Sequence, residues 1–239
     1  ASSDQKVKSF LATDPHYVDG DYKYPVAVGA DVQLYDDEKL LSWELRKQSA
    51  DRGINESYVT ACVRFWKKVF NTNRIPVFSF FSDSYPHVQS TMGKNMQDKL
   101  DSGNPLPQNT AFYKWDDERN CTELWKQYYV MNWKNARFGN DKGQKEYCEA
   151  IEQAMVNFSQ PISSNQNNSE IVLEGLAVEA RGKEDTLVVK YRDGRKVPFD
   201  MLPQGYKRIF SIVFDIAHRG YLLQKNCNPY AVVFIDELE

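Results

Sequence analysis

Histidine is scarce in these 239 residues, with three, and cysteine nearly so, with four. His16, His87 and His218 have no spacing that would bring two rings to one metal ion. Cys62, Cys121, Cys148 and Cys227 lie far apart with no Cys-x-x-Cys pair, which argues against a zinc site. Scattered single thiols fit a reducing compartment better than a disulfide framework, so a cytoplasmic location is expected. No apolar run approaches the ~18–20 residues that cross a bilayer, and no membrane partner is expected. No signal-peptide pattern opens the chain. Excess charge is missing too: a net charge of -3 gives no global basic field for nucleic acid, which leaves only a local basic groove.

What is present is ordinary for a globular chain with a sizeable core: 41% hydrophobic and 26% charged residues, with 14 Tyr, 13 Phe and 5 Trp. The most informative stretch is the last one. Ala231-Val232-Val233-Phe234-Ile235 is short, continuously apolar and mostly β-branched or aromatic, the pattern of a buried parallel strand. It runs into Asp236-Glu237. Carboxylates at the C-terminal end of such a strand stand where open α/β sheets place their ligands. One can hold Mg²⁺, directly or through water, and the next can orient an attacking water, as in a Walker B strand. A core strand ending in two solvated acids reads equally well from these residues alone.

Upstream, residues 26–34 read as a strand, and residues 37–50 as a strand that continues into a short helix. Asn55 is a candidate N-cap for a helix to Phe70, with Val59, Cys62, Val63, Trp66 and Phe70 at helical spacing. Ile75 to Phe81 is a second continuous apolar strand, with Pro76 near its start. Residues 82–110 are polar and Pro/Gly-rich and read as a long loop. Residues 111–157 form the most helical region, broken around Gly139 to Gly143. Its aromatic residues with Lys126, Lys134 and Arg137 could stack on and neutralise a nucleic-acid strand; a helical hairpin packed on a sheet is the plainer reading.

After a polar stretch at 163–169 the pattern turns to strands. Residues 171–178, 186–191 and 196–199 predict an antiparallel meander, with Asp193-Gly194 as a type I′ hairpin turn. Leu202-Pro203-Gln204-Gly205-Tyr206 follows, then an amphipathic helix with Ile209, Ile212, Val213, Ile216 and Ala217 on one side. Gly205 would let a ligand approach bare backbone, and the helix start offers N–H groups to an anion. Lys207 and Arg208 sit at the positive end of that helix dipole, an unfavourable place unless an acid or anion neutralises them. His218 is expected on a face of this helix.

Meander, Leu-x-x-Gly helix start, amphipathic helix and apolar strand ending in Asp-Glu form an ordered set. It resembles the second half of ABC-type AAA ATPases, the group that includes RecF-like, SMC-like and OLD-like proteins. Leu202 to Tyr206 looks like the signature motif and Val232 to Glu237 like Walker B. Ile75 to Phe81, Ala111 to Trp115 and Asn120 to Trp125 look like stretches of one subgroup, the predicted ATP-binding proteins labelled as involved in virulence. The resemblance covers roughly residues 25–239. It implies an α/β fold: a partial P-loop NTPase core with an antiparallel meander and a helical insertion. The expected divisions are an N-terminal lobe at 1–110, a helical insertion at 111–162, and meander, signature helix and Walker B at 163–239.

The resemblance also implies roles. Asp236 would hold Mg²⁺, and Glu237 would orient and deprotonate the attacking water. Gln204, Gly205 and Tyr206 would meet the γ-phosphate of ATP across a head-to-head homodimer. Gln89 would be the lobe-linking glutamine. A nuclease or DNA partner is compatible with the family. The chain departs from the pattern in having no Gly-x-x-x-x-Gly-Lys-(Ser/Thr) anywhere. Pro203 stands where the signature has Ser, and the family's switch histidine would lie beyond Glu239. An internal piece of a longer ATPase is therefore expected, inactive by itself. The alternatives are a non-catalytic module that binds protein or nucleic acid through residues 111–158, and, less well supported, a metal hydrolase built on Asp236 and Glu237.

Overall fold

A computed structural model describes residues 17–18, 21–32, 41–49, 75–82, 92–115, 117, 121–139, 141–163, 172–181 and 184–236. The chain divides into two compact units, Ala1–Thr72 and Asn73–Glu239. The first contains β1 (Tyr17–Val18) paired with β2 (Asp21–Tyr22), and β3 (Val26–Val32) paired antiparallel with β4 (Leu41–Lys47). The strand expected from residue 26 is thus present. The region after Leu40 is strand through Lys47, not a strand that becomes a helix. The helix expected from Asn55 to Phe70 lies outside the described residues.

The second unit mixes helices with small sheets. Its β5 (Val77–Phe81) pairs in parallel with β9 (Ala231–Ile235), Val77 opposite Ala231 and Phe81 opposite Ile235. Between them come α1 (Lys94–Asp101), a 3₁₀ turn at Gln108–Phe112, α2 (Thr122–Phe138), α3 (Lys142–Ser163), the strands β6 (Leu173–Arg181), β7 (Glu184–Tyr191) and β8 (Lys196–Pro198), and α4 (Gln204–Gln224). The stretch 82–110 is therefore not all loop: Met96 and Leu100 of α1 are buried, four residues apart on one helical face. The helical break near Gly139 separates α2 from α3 as the composition predicts.

β6, β7 and β8 form the expected antiparallel meander, with β6 and β7 longer than the apolar runs that mark them. The turn at Asp193-Gly194 differs from type I′. Only Gly194 has positive φ, at 88°, and its N–H donates to Tyr191 O at 3.0 Å. Asp193 stays at negative φ, and its Oδ1 accepts the Arg195 N–H at 3.0 Å. A type I turn closed by a left-handed glycine results, the three-residue hairpin loop.

The core of this unit lies where α2, α3 and α4 meet β5 and the meander. Trp125, Tyr129, Ile151, Met155, Phe199, Phe210 and Phe214 are fully buried there. On α4 the buried face is Phe210, Ser211, Phe214, Asp215, Ala217 and His218. The aliphatic stripe that the sequence marks, Ile209, Ile212, Val213 and Ile216, lines an open trough instead. Ala217 alone of that expected stripe is buried.

Candidate functional site

β5 and β9 run in the same direction, and α4 returns antiparallel to them before β9 begins. A helix that feeds a parallel strand starts at the strands' C-terminal edge, so the start of α4 and the end of β9 meet. Arg208 joins them: its guanidinium donates to the Asp236 carbonyl at 3.5 Å. The Asp236 N–H donates to Phe81 O at 2.9 Å, which brings the end of β5 to the same edge.

At the start of α4, Leu202 is buried and anchors the chain, while Gln204 and Gly205 are exposed and Tyr206 is half-buried against Phe210. The first helical bond runs from the Lys207 N–H to Pro203 O at 2.9 Å. The N–H groups of Gln204, Gly205 and Tyr206 precede it and have no place in the helical ladder. Pro203 at the N-cap has no side-chain oxygen to take one of them. A Cβ at Gly205 would meet nothing within 4 Å, so packing does not require glycine there.

The two cations near this end are engaged. Lys207 Nζ donates to Asp200 O at 3.4 Å and lies 3.9 Å from the Asp200 carboxylate. That carboxylate also takes Lys126 Nζ at 2.7 Å. The acid needed to offset Lys207 beside the helix dipole is thus Asp200, three residues before Pro203. The Asp236 side chain is exposed, with no ion pair among the described residues. Glu237 and Gln89 lie outside the described residues.

β9 itself departs from expectation. It is parallel, but it is not buried: Val232 is 40% and Phe234 53% exposed. β5 is the covered strand, with Val77, Ser79 and Phe81 buried.

Sequence reasoning missed a buried and well-connected polar group among the described residues. The Asp215 carboxylate accepts Trp125 Nε1–H at 2.6 Å, Ser79 Oγ–H at 3.2 Å and Arg219 Nε–H at 2.6 Å. Arg219 also donates to Ala111 O at 2.6 Å and Tyr113 O at 3.2 Å. Both charges are almost wholly buried, so this pair ties β5, α2, α4 and the 3₁₀ turn together. Asp215 and Arg219 stand four apart on the helix face that also carries Phe214 and Ala217, but nothing local in the sequence marks that face as buried.

His218 lies on α4 as expected, but fully buried beside Trp125, Tyr147 and Phe214. Its Nδ1–H donates to Phe214 O at 2.6 Å, and burial pushes its pKa down to about 3. It is a neutral core residue. Burial likewise pushes the thiols up, Cys121 to about 11 and Cys148 and Cys227 to about 12. Burial thus favours the protonated thiols at neutral pH. Among the described residues no three His, Cys, Asp or Glu converge as a metal cluster, and no helix is long and apolar enough to cross a membrane.

In the helical region Trp125, Tyr128 and Tyr129 are core residues. Lys126 is held by Glu123 and Asp200, and Lys134 pairs with Asp185. Arg137 stacks over Trp133 at 5.1 Å. The sequence matches no family model, and it matches none of the curated proteins with which it was compared.

Proposed function

We propose that this chain is the signature-and-Walker-B part of an ATP-binding and ATP-hydrolysing protein of the ABC type, with a partial P-loop NTPase core. One observation carries the reading: an exposed helix start with bare backbone at Gly205 and an exposed acid at Asp236 share one edge of a parallel strand pair, joined through Arg208.

Asp236 is a fit ligand for Mg²⁺, because it offers a hard, solvent-facing carboxylate not committed to an ion pair among the described residues. When bound, Mg²⁺ would neutralise charge on the β- and γ-phosphates. Glu237 would orient the attacking water and take its proton. The N–H groups of Gln204, Gly205 and Tyr206 would donate to the γ-phosphate oxygens of an ATP held by the partner in a head-to-head homodimer. Charge spreads over those oxygens in the transition state, so donors fixed there in advance lower the barrier.

The phosphate loop must come from outside these 239 residues, since none of them supplies it. The 239-residue chain is therefore expected to bind ATP weakly and to turn none over. A DNA or nuclease partner would be served by the complete protein. The test compares ATP turnover by this chain with turnover by a form extended in both directions. Turnover by the short chain, abolished by Glu237→Gln, would contradict the proposal that the site is only half present. A salt-dependent DNA affinity of the short chain, with no phosphate loop encoded upstream, would favour a nucleic-acid-binding module instead.

A further inference from the structure

β9 carries no side chain that can fix its own register. Ala231, Val232, Val233, Phe234 and Ile235 are all apolar, so neither alternation nor a polar contact distinguishes one alignment with β5 from the next. In a strand with one polar face a one-residue slip is costly, because it turns every side chain to the other side. In β9 a slip exchanges apolar residues for apolar residues. β5 is different: its Ser79 hydroxyl donates to the Asp215 carboxylate of α4 at 3.2 Å, which holds that strand against the helix.

The polar contacts lie at the entrance of β9 instead. Gln224, the last residue of α4, is half-buried and commits its whole carboxamide to the two strands. Its Nε2–H groups donate to Ile75 O at 2.8 Å and to Tyr230 O at 3.0 Å, and its Oε1 accepts the Tyr230 N–H at 3.1 Å. One side chain thus holds both backbone groups of Tyr230 against the chain entering β5. The Val77 N–H donates to the same Tyr230 O at 2.9 Å, and this opens the ladder that Asp236 closes on Phe81 O. The connection from α4 has little slack. Lys225 turns into the left-handed region with φ 54°. The Asn226 carboxamide accepts the Asn228 N–H at 2.9 Å and donates to Asn228 O at 3.0 Å. Only a carboxamide combines two donors with an acceptor and no charge: an ionised Glu at 224 would donate nothing and face two carbonyls, and Asn is one methylene short.

We propose that Gln224 sets the register of β9 and is thereby a positioning residue for Asp236, at the far end of the strand. By fixing Tyr230 it decides that Asp236, rather than Ile235 or Glu237, meets the end of β5. The same helix then locates both strands, β5 through Asp215 and β9 through Gln224. Where Asp236 stands follows from these backbone contacts; what it does there rests on the ATPase reading above.

The test reads register in the 239-residue chain by nuclear Overhauser contacts between the strands, with residue-resolved amide exchange alongside. The parent chain should show Val232 against Phe78 and Ile235 against Phe81. Gln224→Met keeps the side-chain length and removes all three bonds. It should add a second set of cross-strand contacts displaced by one or two residues, and Asp236 should exchange about tenfold faster, while Trp125 and Tyr129 of the core change by less than about twofold. The parent contacts alone in a folded Gln224→Met variant, with exchange at Asp236 rising no more than at Trp125 and Tyr129, would mark plain loss of stability and overturn the proposal. If Gln224→Met does not fold, Gln224→Glu takes its place. Its displaced contacts at about pH 7 should give way to the parent contacts at about pH 5, where a protonated carboxyl regains a donor; contacts that do not change with pH would overturn the proposal. In the complete gene product Gln224→Met should lower kcat for ATP about 100-fold with little change in KM, because misplacement by about 1 Å suffices for that. A displaced register with undiminished kcat would overturn the catalytic consequence and the ATPase reading of Asp236, and would leave the register assignment standing.

Discussion

Asp236 and Phe81 are held by one backbone bond of 2.9 Å, N–H of the first to carbonyl of the second. That bond ends the β5–β9 ladder at the acid. It places Asp236 at the C-terminal edge of two parallel strands, where the return helix α4 also begins. The chemistry proposed for this edge follows from that meeting point.

Gly205 and Gly220 lie on the same helix and should respond oppositely. A Cβ at Gly205 meets open space. Gly205→Asp puts a negative charge at the positive end of the α4 dipole and should stabilise the fold by ~0.3–1 kcal/mol in urea unfolding. The same charge faces the proposed γ-phosphate, so ATP turnover by a form that includes the phosphate loop should fall. A stable variant with undiminished turnover would remove the helix start from the site.

Gly220→Ala should destabilise instead. Its Cβ would come within 2.6 Å of Asn226 O and 2.6 Å of Pro229 Cγ, and the first of these is backbone. Overpacking of this kind costs about 1–3 kcal/mol, read as a lower urea midpoint with an unchanged slope.

Asp215→Ala leaves Arg219 buried without its carboxylate and should cost ~3–5 kcal/mol. Replacing both, as Asp215→Leu with Arg219→Met, should cost clearly less than Asp215→Ala alone, because no buried charge is stranded. Urea unfolding of the single and double variants checks this; a double variant as weak as the single one would show that the hydrogen bonds to Trp125, Ser79, Ala111 and Tyr113 matter more than the charges.

His218 sets an acid limit. Its folded pKa, about 3, lies below the ordinary histidine value of 6.5. The unfolded chain takes up the proton first, so this contribution to stability is complete above pH 6.5. It declines by ~1.4 kcal/mol per pH unit as pH falls toward 3, where the folded form also protonates. His218→Phe should flatten the urea-midpoint profile between about pH 6.5 and pH 4 relative to the parent chain.

Legibility from sequence followed chemistry. β5, the α2–α3 break, the meander and the start of α4 could all be read, because apolar runs, glycines and turn residues mark them locally. The face of α4 could not. Periodicity picked Ile209, Ile212, Val213 and Ile216, yet the inner face carries Ser211, Asp215 and His218 beside Phe210 and Phe214. Hydropathy counts those polar residues against burial. Only partners distant in sequence, Ser79 and Trp125 on the Asp215 carboxylate, make the buried position tolerable. β9 failed in the other direction: its composition predicted cover that its neighbours among the described residues do not provide. Of the candidate site, the exposed helix start at Gly205 and the exposed acid at Asp236 lie in stretches that the sequence singles out. Their bridge through Arg208 is tertiary.

The most direct measurement is Mg²⁺-dependent ATP hydrolysis by the complete gene product, wild type against Glu237→Gln, with ATP binding measured in parallel. Loss of a group that deprotonates the attacking water should lower turnover by about 100-fold or more while binding persists. Turnover unaffected by Glu237→Gln, or a complete gene product that does not bind ATP, would contradict the assignment of Asp236 and Glu237 to an ATPase site.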